Sequence, residues 1–174
     1  MALKIKQLLQ TTIDALKSEG IESARLDALL LFEYALSKDR TYILVHDDEA
    51  LTTGQVRLLS ELTDRRLAHE PIAYIVGYRD FYGLSISVTK DVLIPRPESE
   101  AIVQHVIESN YPATELLDIG TGSGAIAITI AHATDHTVSA SDISEKALDV
   151  ARSNAQTHGV DILFYESDLF DEID

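Results

Sequence analysis

The first seventy residues repeat apolar side chains at three- and four-residue intervals, the spacing of one helix face. Ile5, Leu8, Leu9, Ile13 and Leu16 form the first stripe, and Gly20 is placed to stop it. Ser23 is positioned to cap a second helix that turns Leu26, Leu29, Leu30 and Ala35 inward. Thr41 to His46 reads as a short helix. Thr52 or Thr53 caps another, with Val56, Leu59, Leu62 and Leu67 on its buried side. Short connections predict a small helical bundle over residues 1–70, closed by Pro71.

The period then changes. Phe81, Leu84, Ile86 and Val88 surround Gly83, which predicts a β-hairpin across Tyr78 to Val88. In Ile94-Pro95-Arg96-Pro97-Glu98 two prolines fix φ and disfavour helix before Pro97. Residues 71–97 are therefore read as hairpin and proline-rich linker. A helix is expected from about Glu98 to Asn110. From Glu115 the pattern alternates strand and helix. Leu116, Leu117 and Ile119 form a buried strand, Ala125 to Ala133 a helix and Thr137 to Ala140 a strand. Ser144 caps a helix reaching about His158, stopped by Gly159, and Ile162 to Tyr165 is a third strand. This alternation predicts an α/β fold over 98–174, a parallel, doubly wound sheet.

Composition narrows the function classes. Hydrophobic residues are 45% and charged residues 25% of the 174, as in globular chains. No run approaches the roughly 18 apolar residues of a membrane span. Met1 to Gln10 alternates apolar and polar residues, unlike a signal peptide. A cytoplasmic location is expected. The chain has no cysteine, which excludes disulfides, thiolate zinc sites and a cysteine nucleophile within it. The six histidines show no metal-ligand spacing. A formal charge of −15, from 29 acidic and 14 basic side chains, argues against nonspecific nucleic-acid binding. It suits a basic protein partner, or serves only solubility.

The chemistry concentrates in Leu117-Asp118-Ile119-Gly120-Thr121-Gly122-Ser123-Gly124, a strand entering a glycine turn ahead of a helix. Glycines allow a tight turn and close approach of a ligand, and the helix offers free N–H groups and its positive dipole end. Gly120, Gly122 and Ala125 also satisfy the dinucleotide fingerprint. Asp118 tips the balance. A carboxylate gains nothing beside a pyrophosphate, yet it attracts the ammonium of a methionine moiety, which favours S-adenosyl-L-methionine over NAD. Asp142 follows the second strand, where a carboxylate can accept ribose hydroxyls. Because Asp142-Ile143-Ser144 precedes a helix, a capping role competes. Asp168 follows the third strand, where it can accept from an adenine amino group, with Leu169 beside it to pack on the ring. Asp168 alone would be an ordinary loop residue; the ordered series of three acids is more specific.

The sequence resembles the peptide chain release factor glutamine methyltransferases, the HemK/PrmC family, along nearly its whole length. The resemblance rests on Glu70-Pro71-Ile72-Ala73-Tyr74-Ile75-Val76-Gly77, on Phe81-Tyr82-Gly83-Leu84, on Val92-Leu93-Ile94-Pro95-Arg96-Pro97-Glu98-Ser99-Glu100 and on the glycine loop. The Ile-Pro-Arg-Pro-Glu run is the most specific of these; Ser99 stands where the family often has threonine. The resemblance implies a helical substrate-recognition domain at 1–70, the hairpin and linker at 71–97, and at 98–174 the first half of a Rossmann-like class I methyltransferase domain. It implies methyl transfer from S-adenosyl-L-methionine to the side-chain amide of the glutamine in a release factor's Gly-Gly-Gln motif. An amide nitrogen is a poor nucleophile, so positioning and electrostatics must supply most of the acceleration.

Carried over residue by residue, the cofactor contacts fall on Asp118, Gly120, Thr121, Gly122, Ser123, Gly124, Asp142, Asp168 and Leu169. Phe81, Pro95, Arg96, Pro97 and Glu98 are expected to form the substrate-side wall. For Phe81 packing inside the hairpin competes, and for Arg96 a surface ion pair with Glu98 or Glu100. The family's catalytic Asn-Pro-Pro-Tyr signature does not occur, so no catalytic residue is assigned, no metal is expected and the chain alone is expected to be inactive. Three other readings remain open: a glutamine of a ribosomal protein as substrate, an NAD-dependent oxidoreductase, and a non-catalytic docking piece. With the sheet's other half missing, the C-terminal part is expected to be marginally stable by itself.

Overall fold

The computed structural model describes residues 3–109 and 115–173. The chain divides into two compact units, Met1–Val76 and Gly77–Asp174.

The first unit is helical, with α1 (Ile5–Ser18), α2 (Ala24–Leu36), α3 (Arg40–Val45), α4 (Thr53–Leu67) and α5 (Ile72–Val76). Ile5, Leu9, Ile13 and Leu16 of α1 are buried as their spacing requires, together with Leu59 and Leu62 of α4. Full burial of such side chains contributes about 1.5–3 kcal/mol each. Thr52 is the cap of α4: its hydroxyl accepts the Gln55 N–H at 3.2 Å while Gln55 Oε1 accepts the Thr52 N–H at 2.9 Å.

Three expectations fail here. Pro71 does not end the helical region, because its carbonyl accepts the Tyr74 and Ile75 N–H groups and opens α5. Proline suits that position, since the first turn of a helix needs no donor from it. In α2 the inward face is rotated. Leu26 is 48% exposed and Asp27 is 2% exposed, so the second helix does not turn Leu26 inward. The segment Ala24-Arg25-Leu26-Asp27-Ala28-Leu29-Leu30-Leu31-Phe32 is apolar nearly all round, and its period cannot select a face. An ion pair selects it: Arg66 Nε donates to Asp27 Oδ2 at 2.8 Å. Ser23 does not cap α2 either, its hydroxyl donating instead to the same carboxylate at 3.0 Å.

The second unit begins with the hairpin of β1 (Tyr78–Phe81) and β2 (Leu84–Ser87), paired antiparallel with Phe81 opposite Leu84. Its two-residue turn puts Tyr82 at φ 47° and Gly83 at φ 81°, the twist that two-residue hairpins need. After the linker, Pro97–Ser99 makes a 3-10 turn leading into α6 (Glu100–Glu108). The expected helix end at Asn110 lies outside the described residues. Then follow β3 (Glu115–Ile119), α7 (Ala125–Ala133), β4 (Thr137–Asp142), α8 (Glu145–His158) and β5 (Ile162–Glu166). The three strands form one parallel sheet in the order β3-β4-β5. Val103, Ala127, Ile128, Val138, Ala140 and Ala155 form its core with Phe81 and Ile86 of the hairpin.

Candidate functional site

In a parallel sheet the C-terminal strand ends gather the loops that can meet a ligand. Here β3 runs into the glycine turn and β4 ends at Asp142. The turn hangs from the neighbouring strand, because the Ser141 carbonyl accepts both the Gly120 and Thr121 N–H groups, at 2.8 and 2.9 Å. Gly120, Gly122 and Gly124 hold φ values of 75°, 56° and 80°, a region costly for residues with a side chain. The three differ in their surroundings. A Cβ on Gly120 or Gly122 would meet nothing within 4 Å, whereas on Gly124 it would lie 2.8 Å from Ile128 Cδ1 and 3.1 Å from Ala151 Cβ. Gly124 thus serves the packing of α7 against α8; Gly120 and Gly122 shape the turn and leave space before it.

The two acids are held differently. Asp142 Oδ2 accepts the Gly122 N–H at 2.8 Å and Oδ1 accepts the Ser144 N–H at 3.0 Å. Asp142 does not itself cap α8, whose cap is Ser144; it holds the turn in front of that cap. Each carboxylate oxygen has a second lone pair to offer. Asp118 Oδ2 accepts the Thr121 hydroxyl at 2.7 Å. Burial pushes the Asp118 carboxyl above its usual range, opposed by the Thr121 hydroxyl and the Ala127 N–H, with the Asp142 charge adding to the rise. The start of α7 has no side-chain cap, so its first turn faces the glycine loop without a protein acceptor from a cap.

A cleft of about 160 Å³ opens beside this turn. Gly120, Thr121, Gly122 and Ser123 form one wall; Phe81, Ile94, Pro95 and Arg96 contribute to the other. The structure therefore brings Phe81, Pro95 and Arg96 together with the glycine loop. Phe81 is 1% exposed in the hairpin core and also lines the cleft. Pro97 and Glu98 stand in the exposed 3-10 turn outside the lining. Asp168 and Leu169 lie on an exposed turn after β5, also outside it, with Leu169 at φ 55°.

Sequence reasoning missed several neighbours. Leu93 and Ser99 line the cleft, and Ile143 stands 68% exposed directly after Asp142. Asn154 is buried on α8 and donates to the Ser123 carbonyl at 2.9 Å. Nothing local in the sequence separates Asn154 from the polar residues around it. Among the described residues no group of three His, Cys, Asp or Glu could hold a metal ion, and no helix is long and apolar enough to cross a membrane.

A glycine turn between a parallel strand and a helix, in a three-stranded parallel sheet, gives the chain's second unit a partial Rossmann-like fold. Residues 97–174 match the family described as methyltransferase small domain. Residues 7–77 match the PrmC N-terminal domain. The release factor glutamine methyltransferase of Aliivibrio fischeri is 37% identical over 176 residues, covering 99% of this chain and 62% of that protein. That of Coxiella burnetii is 44% identical over 143 residues, covering 80% and 51%, and that of Rhodopirellula baltica is 40% identical over 179 residues, covering 98% and 60%. The chain is thus similar to release factor glutamine methyltransferases along nearly its whole length. It spans 51% to 62% of the length of these curated relatives.

Proposed function

We propose that this chain supplies the methyl-donor half-site and the helical domain of a protein-glutamine methyltransferase acting on peptide chain release factors in the cytoplasm. The observation that carries the reading is the pair of acids around an open glycine turn. Gly120 and Gly122 leave space where a side chain would stand, and Asp118 and Asp142 flank it on adjacent strands. That donor set suits a zwitterionic nucleoside better than a pyrophosphate, because two carboxylates repel phosphate.

The residues present fit S-adenosyl-L-methionine, which when bound supplies an electrophilic methyl group on a sulfonium. Asp118 would hold its ammonium and Asp142 its ribose hydroxyls, while the positive end of α7, which no side chain caps, would face its carboxylate. Asp168 and Leu169, on the turn after the next strand, are proposed for the adenine. Phe81 with Pro95 and Arg96 would exclude water on the acceptor side, and Pro97 and Glu98 would shape the approach of the protein substrate. No residue of this chain is given a proton-transfer role.

The test is calorimetric titration of the chain with S-adenosylhomocysteine, beside Asp142→Ala. Saturable binding is expected, weakened at least about tenfold in the variant, the order of two lost charge-assisted hydrogen bonds. Binding of NAD in preference would overturn the methyltransferase reading. The substrate part is checked with a protein carrying this chain and the family's Asn-Pro-Pro-Tyr segment. Transfer of labelled methyl to the Gly-Gly-Gln glutamine of a release factor is expected; labelling of a ribosomal protein instead would reject it.

A further inference from the structure

Asn154 is 1% exposed on α8, and its side-chain amide is engaged entirely by backbone. Its Nδ2 donates to the Ser87 carbonyl at 3.0 Å and to the Ser123 carbonyl at 2.9 Å, and its Oδ1 accepts the Ser87 N–H at 2.9 Å. Ser123 lies in the glycine turn and lines the cleft. Ser87 ends β2, whose hairpin partner β1 carries Phe81, although Ser87 itself lies outside the lining. One turn further along α8, His158 Nε2 lies 2.9 Å from the Ser85 carbonyl, so the hairpin follows the helix, but His158 reaches only the hairpin.

The glycine turn fixes its own shape only in part, through the Gly124 N–H donated to the Thr121 carbonyl at 2.9 Å and the Thr121 hydroxyl donated to Asp118. Gly120 and Gly122 have no side chains to pack, so the rest of its geometry is held by hydrogen bonds from outside. The Ser141 carbonyl holds its start, Asp142 its middle and Asn154 its end. Among these anchors, Asn154 is the one that also binds the hairpin carrying Phe81. Only a planar amide offers two donors and an acceptor in this arrangement.

We propose that Asn154 is a positioning residue of the donor site: its amide sets the separation of the Phe81 wall from the glycine turn, so that α8 fixes the width of the cleft. This rests on the cofactor reading above.

Two variants and a control test it in the intact chain. Asn154→Leu keeps the volume and removes every polar contact. Asn154→Asp keeps the acceptor for the Ser87 N–H and removes the donor to the Ser87 and Ser123 carbonyls, and circular dichroism of each variant separates a lost fold from a lost contact. Leu148→Val, in the core on the same helix, removes packing without a polar contact. Each Asn154 variant is expected to weaken S-adenosylhomocysteine binding about tenfold or more, the order of one buried polar partner lost, with the control within about twofold. Amide hydrogen exchange adds a readout that loss of stability alone would not move. In Asn154→Leu the Gly122, Gly124 and Ser87 N–H groups should exchange faster together, while the central β4 amides keep their protection. Unchanged binding in both Asn154 variants, or an equal loss in Leu148→Val, would overturn the proposal. So would faster exchange at Ser87 alone. If the unsubstituted chain binds no S-adenosylhomocysteine, the cofactor reading falls, and the exchange pattern still decides whether this amide couples the two walls.

Discussion

The two units bury polarity in opposite ways. Among the described residues the helical unit buries Thr12 and Asp27, and the acid is neutralised by Arg66 from a helix far along the chain. The ion pair lies within the bundle and joins α2 to α4. The second unit buries Thr121, Ser123, Thr129, Ser141, Asn154 and Ser167, most of them near the glycine turn. There the Ser141 carbonyl, the Asp142 carboxylate and the Asn154 amide hold a backbone in left-handed conformations. The lesson is about purpose: buried polar groups that pair off define a packing, whereas buried polar groups that hold a loop define a site.

The comparison can be broken at several points. The largest effect is expected from Arg66→Met, which leaves the Asp27 carboxylate buried without its counter-ion. Urea unfolding of the helical unit should show a loss of about 3–5 kcal/mol, and Asp27→Leu added to it should restore much of that loss. A variant as stable as the original would mean that the pair is dispensable to the bundle. In the second unit Gly124→Ala should cost about 2–4 kcal/mol, from left-handed strain plus overlap with Ile128 and Ala151. Gly120→Ala meets open space and should cost only the strain, about 1–2 kcal/mol, by the same measurement. Equal losses would remove the distinction drawn between a packing glycine and a turn glycine.

A smaller effect sharpens the contrast at Asp118. Its folded pKa is raised, so the folded state holds the proton more tightly than the unfolded chain. Its ionised form therefore opposes folding, and stability falls as pH rises from the ordinary carboxylate range through the raised value. Asp118→Asn should raise the melting temperature at neutral pH and leave it nearly unchanged in acid. The same substitution should weaken S-adenosylhomocysteine binding. In the unsubstituted chain affinity should fall as pH drops through the Asp118 titration, since only the carboxylate attracts an ammonium. Stabilisation without loss of affinity would show that Asp118 does not meet the ligand.

Much of the second unit was legible because its signals are local. Gly159 stops α8, Ser144 accepts the Ala147 N–H at its start, and strand and helix periods alternate cleanly. The glycine turn was legible for the same reason: few residues tolerate those backbone angles. What escaped was long-range. The orientation of α2 depends on Arg66, thirty-nine residues away, while the sequence around Leu26 offers apolar choices on every side. Asn154 looks like a solvent-facing polar residue of an amphipathic helix, and only its contacts with Ser87 and Ser123 show otherwise. Pro71 was misread because a proline ends one helix and begins another with equal ease.

The manner in which Asp142 is held bears on heat and speed. Both of its oxygens already accept a backbone N–H, so its side chain has surrendered its rotational freedom before any hydroxyl arrives. A ligand that uses it need not freeze a carboxylate at the moment of contact. Association should therefore carry a small conformational entropy penalty at this point, and capture should run close to the rate of encounter rather than wait on a rearrangement.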